Sequence, residues 1–258
     1  MNEDPAILLT PPGRELLARL AAEPDAGSLA VAERLRREYP ANLVATAMAQ
    51  RELRLAAEAK FSRAAQMLFT RAGYEQSSSE PVARYRASRL GGASRIADLC
   101  CGIGGDLIAL AAPDAAPNAA PSTGPNAVPS PATAARDVLA VDRDETHARL
   151  ALHNAAVYGR AEHVTVVVAD VRDVPLAGVD AVFIDPARRS GAGTASAHDA
   201  RRFRAGTSEP PLDWCLALAG QVEAVCVKAA PGIPAELIPP GWEAEFIAEA
   251  RDLKEAVL

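Results

Sequence analysis

Aromatic residues make up only 4% of the 258-residue sequence, and lysine is rarer still: Lys60, Lys228 and Lys254 are the only three among 27 basic residues, leaving 24 as arginine. With abundant alanine, that bias points to GC-rich coding and a bacterial source. Cysteine is scarce too. Cys100 and Cys101 are adjacent and too close to bridge easily, Cys215 and Cys226 stand apart, and no CxxC pairs with histidine, which argues against a disulfide scaffold and a zinc site. His147, His153, His163 and His198 show no ligand spacing, so no metal is expected. No apolar run approaches the roughly 18 residues of a membrane span, and the start MNEDPAILLT lacks a basic n-region. These absences predict a soluble cytoplasmic protein. With 33 acidic residues the net charge is -6, so no uniform positive field can hold a nucleic acid, and polyanion binding must be local. What is present is globular: 49% hydrophobic and 23% charged, over a length that suits one large domain or a domain with an appendage.

From residue 12 to about 90 the pattern is helical. PPGRELLARLAAE, SLAVAERLRREYP and ANLVATAMAQRELRLAAEAKFSRAAQMLF place apolar residues three and four apart among strong helix formers. A break is expected from Thr70 to Ser79, with Ser79 capping a following helix that has Pro81 in its first turn. This predicts an N-terminal helical module over residues 1–90. Beyond it, RIADLCC, DVLAVD, VTVVVAD, AVFIDP and AVCVKAA read as strands, separated by the helical stretches ETHARLALHNAAVYG, PLDWCLALAG and PAELIPP. Strands alternating with helices predict an α/β fold with a parallel sheet over residues 91–258, and EAEFIAEARD with LKEAVL predicts a final antiparallel pair. The chain stops inside that last apolar run, which reads as a fragment of something longer. Residues 112–136 are almost wholly Ala, Pro, Ser, Asn and Gly and read as a disordered insertion.

Chemistry concentrates at the strand ends. In DLCCGIGGD, from Asp98 to Asp106, the glycines let the backbone turn tightly and approach a ligand, although such turns also occur as plain structure. Asp142 ends the next strand, where a carboxylate accepts ribose hydroxyls; capping the helix from Glu145 is the alternative. Removing the insertion shortens the interval from Asp98 to Asp142 to about 20 residues, the spacing between a glycine loop and a ribose acid. Asp170 ends the third strand, placed for an exocyclic amine such as that of adenine or for an ordinary turn, and Asp185-Pro186 ends the fourth. Lys228 reads as a solvated strand-end lysine, with a place lining the same crevice as the alternative.

DLCCGIGGD, AVDRD, VVVAD and IDPA, in that order, resemble motifs I to IV of class I S-adenosylmethionine-dependent methyltransferases. Within that superfamily CGIGGD, ETHARLALHNAAVYGRAEHVTVVVADVRD and VDAVFIDPA are similar to the RNA cap guanine-N2 methyltransferase (trimethylguanosine synthase) family. The stretch from Phe61 to Leu90, including GYEQSSSEPVA, resembles that family's N-terminal extension. The resemblance is strongest to bacterial enzymes of this type with a C-terminal THUMP-like domain, which is absent here. It covers roughly residues 60–258 apart from the insertion. It implies a Rossmann-like sheet, mostly parallel with an antiparallel last strand, S-adenosylmethionine as cofactor, and methyl transfer to an exocyclic amine (guanine N2) of RNA. Gly102, Gly104 and Gly105 would cradle the methionine part with Asp98 beneath. Asp142 would take the ribose, Asp170 the adenine amine, and Asp185-Pro186 the acceptor, with Gln76 and Ser78 closing the pocket.

The chain departs from the pattern twice. Ala187-Arg188-Arg189 stands where the cap enzymes carry a base-stacking aromatic, and Arg143 follows Asp142 in place of an apolar residue, so only its aliphatic stem packs. DPAR also resembles RNA 5-methyluridine methyltransferases, but Ala229 occupies the place of their nucleophilic cysteine, and Cys100 and Cys101 read as small buried residues. Basic residues exceed acidic ones nine to four from Arg51 to Arg95 and five to two from Asp185 to Thr207, local patches able to grip phosphates. A small-molecule methyltransferase and a noncatalytic RNA-binding protein are the alternatives. A nicotinamide oxidoreductase fits less well, because Leu107 occupies the third glycine of its fingerprint.

Overall fold

The computed structural model describes residues 4–258 apart from 24, 26, 114–135 and 189–207. The expected insertion therefore falls outside the described residues from 114 to 135, as do Arg189, His198 and most of the second basic patch. At the insertion's end Arg136 is buried and donates to the Ala87 carbonyl at 3.0 Å.

Five helices precede the first strand: α1 (Pro11–Ala22), α2 (Leu29–Leu35), α3 (Ala41–Ala57), α4 (Arg71–Gln76) and α5 (Glu80–Arg89). Thr10 and Ser28 cap α1 and α2 by accepting from Gly13 and Val31 amides, each at 3.3 Å. Their apolar faces bury Leu16, Leu20, Leu35, Val44 and Ala47 with Phe61, Met67, Leu68 and Phe69, and the same core continues into Ile103, Ile108 and Leu150. Two helices interrupt the reading of the sequence differently from expectation. α4 occupies the expected break, because Thr70 caps it by accepting from Gly73 N–H at 2.9 Å. Ser79 does hold the N-cap position of α5, but its hydroxyl donates to Glu249 Oε1 at 2.7 Å instead of capping.

The strands are β1 (Arg95–Leu99), β2 (Asp137–Asp142), β3 (Val164–Val168), β4 (Ala181–Ile184), β5 (Ala187–Arg188), β6 (Ser208–Glu209), β7 (Ala224–Ala229), β8 (Glu245–Glu249) and β9 (Asp252–Val257). Seven form one sheet in the order β3-β2-β1-β4-β7-β9-β8, while β5 and β6 pair separately. The first five run parallel, and β9 is antiparallel to both β7 and β8, a Rossmann-like arrangement. β1 and β4 are covered on both faces, which explains the unbroken apolar run of β4 and leaves Asp98 as the one polar residue buried within β1. Between the strands lie α6 (Leu107–Leu110), α7 (Glu145–Val157) and α8 (Leu212–Ala217). PAELIPP makes only a single turn, Ala235–Leu237, because Pro231, Pro234, Pro239 and Pro240 deny a longer helix its amides. Among the described residues no helix is long and apolar enough to cross a membrane.

The chain winds outward from β1 through β2 to β3 and then returns to β4 on the other side of β1. Such a reversal opens a crevice at the carboxyl edge of the sheet, where loops from opposite directions part.

Candidate ligand-binding site

That crevice is a cavity of about 680 Å³ lined by Asp98, the turn from Cys100 to Asp106, Asp142, Asp170, Asp185-Pro186 and the segment Glu75–Ser79. Of the residues assigned to cofactor or acceptor in the sequence, all line it except Gly104. Gly104 lies beneath the turn, at φ +85°, where a Cβ would stand 3.1 Å from the Ala151 backbone of α7. Gly102, at φ +53°, faces open space. Cys100 adopts φ +63° although it is not glycine, so the turn is bent tightly from its first residue.

Asp142 organises this turn. Its Oδ2 accepts from Gly102 N–H at 2.8 Å and its Oδ1 from Asp144 N–H at 2.9 Å, fixing the glycine turn to the end of β2. The cap of α7 is instead Asp144, which accepts from His147 N–H at 3.1 Å. His147 belongs to the site as well: its Nδ1 lies 3.9 Å from Asp142 Oδ1, and Nε2 lies 3.2 Å from Thr70 Oγ1. Its place in the first turn after a strand-end acid was the available signal.

Asp98 is fully buried, and neither carboxyl oxygen has a hydrogen-bond partner. Burial, reinforced by Asp106, Asp185 and Asp142, holds its pKa well above the usual carboxylate range. Asp170 is the opposite case. It accepts from the Arg172 amide and from both arms of the guanidinium at 2.6–3.0 Å, which draws its carboxyl down to about 2. Arg172 also reaches Glu209 Oε1 at 2.9 Å, joining β6 to the rim.

Asp185 Oδ2 accepts from Lys228 Nζ at 2.6 Å, and the Lys228 side chain is only 9% exposed. The expectation of a solvated lysine is thus corrected: β7 lies inside the sheet between β4 and β9, so its end is covered. Burial opposes the Lys228 charge, yet Asp185 and Asp106 hold its pKa above the ordinary value.

The rim is fixed from both directions. Arg86 of α5, buried against Phe183, pairs with Asp106 of the turn and Glu255 of β9. Ser78 Oγ donates to Glu255 Oε2 at 3.3 Å, while Gln76 is exposed at the mouth. Burial pushes the Cys215 and Cys226 thiols up to about 12, so neither offers a thiolate at neutral pH. Among the described residues no group of three or more metal-ligating side chains forms.

Residues 3–57 match the model of a family described as a domain of unknown function (DUF8688). No curated protein matches the chain. Among solved structures, a candidate methyltransferase from Porphyromonas gingivalis W83 matches with 20% identity and a TM-score of 0.62, over 85% of this chain and 50% of that one. The chain thus spans about half the length of that protein, whose fold it shares. An RNA methyltransferase from Salinibacter ruber, solved with S-adenosyl-L-homocysteine, matches with 14% identity and a TM-score of 0.37, over 68% of this chain and 88% of that one.

Proposed function

We propose that the chain is an S-adenosylmethionine-dependent methyltransferase acting on an exocyclic amine of RNA, with guanine N2 as the acceptor. The observation that carries this reading is the Asp98 carboxyl, buried beside a glycine turn, lining a nucleoside-sized cavity and lacking a partner for either oxygen. A buried polar group of this kind calls for a ligand donor, and the cofactor's α-ammonium is one. The remaining residues fit the same molecule. Asp142 keeps lone pairs for a ribose diol, Gly102 leaves room for the methionine chain, and the carboxylates of the lining suit a sulfonium. In this reading residues 1–90 carry the rim, with Gln76 and Ser78 closing over the ligand, and 91–258 form the cofactor-binding domain.

The bound cofactor supplies a methyl group already activated on cationic sulfur, so transfer to nitrogen needs alignment more than covalent help. Asp185 accepts an N–H of the acceptor amine, which aims the nitrogen lone pair and stabilises the charge that nitrogen gains. Pro186, with its fixed φ, holds the loop that presents Asp185.

The exposed arginines Arg63, Arg71, Arg84, Arg89 and Arg95, in a stretch that includes the rim, support an RNA acceptor, whereas Arg86 of the same stretch is buried in ion pairs. A small-molecule acceptor is favoured by a different feature, the ten carboxyl side chains against five lysines and arginines in the cavity lining. Transfer of labelled methyl from S-adenosylmethionine to total RNA of a strain lacking this gene, with nucleoside analysis, decides between them. Label in N2-methylguanosine is the expected result. Bound S-adenosylhomocysteine without RNA label favours the small molecule, and no S-adenosylhomocysteine binding by calorimetry overturns the methyltransferase reading.

A further inference from the structure

The three lysines of a chain that otherwise uses arginine all line the same cavity. A compact ammonium suits places where a planar guanidinium fork does not fit. Lys60 directs its ammonium at the carbonyls of Tyr74, Ser77 and Glu75, at 2.7, 2.8 and 3.4 Å, and so shapes the rim. Lys254 pairs with Asp252 at 2.6 Å. Lys228 differs from both: it is nearly buried, and among the described residues its hydrogen-bond partner is Asp185 alone. An ammonium carries three donors, so two remain for a ligand in the cavity that both residues line.

We infer that Lys228 and Asp185 act together as a neutral donor–acceptor couple that selects an amino group conjugated to a ring nitrogen, the H2N–C=N edge of adenine, cytosine or guanine. The inference rests on the methyltransferase reading of the site and makes Lys228 its specificity-determining residue. The carboxylate accepts an amino N–H while the neighbouring ammonium donates to the ring nitrogen, the adjacent pair of contacts by which side chains read base edges. The couple is neutral overall, so it matches a neutral edge. Uracil has no amino group to offer, and a protonated aliphatic amine has no acceptor for Lys228 and meets its like charge. During transfer the amine lone pair forms the N–C bond to the methyl carbon as the C–S pair returns to sulfur. One N–H proton then leaves through the Asp185 carboxylate to water.

Because only three lysines exist, a protein grown with nitrogen-labelled lysine gives three side-chain resonances. Lys228→Met assigns one of them by its loss, and should that variant not fold, Asp185→Asn assigns it by its shift. The full chain, saturated with S-adenosylhomocysteine, is titrated with adenosine, cytidine, guanosine, uridine and ethanolamine. The Lys228 resonance is expected to move with at least one amino-bearing nucleoside and with neither uridine nor ethanolamine. In Lys228→Met the affinity for that nucleoside should fall about tenfold or more while S-adenosylhomocysteine affinity stays within about twofold. A Lys228 resonance that no nucleoside moves, or that uridine moves equally, overturns the inference and leaves the methyltransferase reading intact. Failure to bind S-adenosylhomocysteine overturns the reading and the inference with it.

Discussion

Asp142 carries two duties at once, and they predict a larger effect than a ligand contact alone. Its oxygens already accept from Gly102 and Asp144 amides, so Asp142→Ala removes a ribose acceptor and also frees the glycine turn. S-adenosylhomocysteine affinity should fall at least about tenfold, roughly 1.4 kcal/mol, as read by calorimetry. Asp142→Asn keeps one acceptor oxygen and should fall between the two, whereas an unchanged Kd for the alanine variant would remove Asp142 from the site. Asp170 offers less, because Arg172 already holds both of its oxygens. Arg172→Ala is therefore expected to raise the Asp170 pKa from about 2 toward the ordinary carboxylate value, which carboxyl NMR titration would follow.

At the level of elements, the helical layer is tied to the sheet by buried amides. Asn154 of α7 accepts from Leu68 N–H and donates to the Leu68 and Ile103 carbonyls, all at 2.9 Å, while Gln50 of α3 exchanges two hydrogen bonds with Phe69. These bonds hold Met67–Phe69 extended and set α4 over the glycine turn. Asn154→Ala leaves three buried backbone groups unpaired and should cost about 3 kcal/mol in chemical denaturation. Arg86→Met strands the buried Asp106 and Glu255 carboxylates and should cost about 3–5 kcal/mol. Neither tie was legible in the sequence. An asparagine within a helical run carries no sign of the distant backbone it pairs with, and a surface reading of Arg86 follows from its charge. Strands were legible because their apolar runs and terminal acids are local, and the place of Asp142 at the end of β2 followed from the spacing once the insertion was set aside. α4 was missed because a six-residue helix has too short a period to read. Lys228 was read as solvated because the sequence does not show that β9 pairs directly beside it, with Lys228 opposite Val257.

Across the whole molecule the ionisable groups pull stability in opposite directions with pH. Glu80, Asp170 and Asp180 are held below the ordinary carboxylate value, the first despite its burial by Tyr158 and Ser62 and the others by Arg172 and the Arg95 and Ser94 amides. Groups with depressed folded pKa values contribute stability above the unfolded value, and that contribution is lost as pH falls through the folded one. His153, lowered by burial, acts in the same direction at higher pH. Asp98 has the reverse sign: its folded pKa is raised, so its contribution is complete below the ordinary carboxylate value and is lost as pH rises. Apo stability should therefore fall on the acid side through the first set and decline on the alkaline side in part through Asp98. Asp98→Asn cannot ionise, so its melting temperature should match the wild type at about pH 3, where Asp98 is protonated both folded and unfolded, and exceed it increasingly up to about pH 9, by about 2–4 °C for each 1 kcal/mol relieved. The same substitution should weaken S-adenosylhomocysteine, whose ammonium loses a carboxylate partner, so that the variant is the more stable protein when empty and gains less when the ligand is added. Parallel melting curves for the two proteins across that pH range would show that Asp98 is not the buried acid that limits the apo fold.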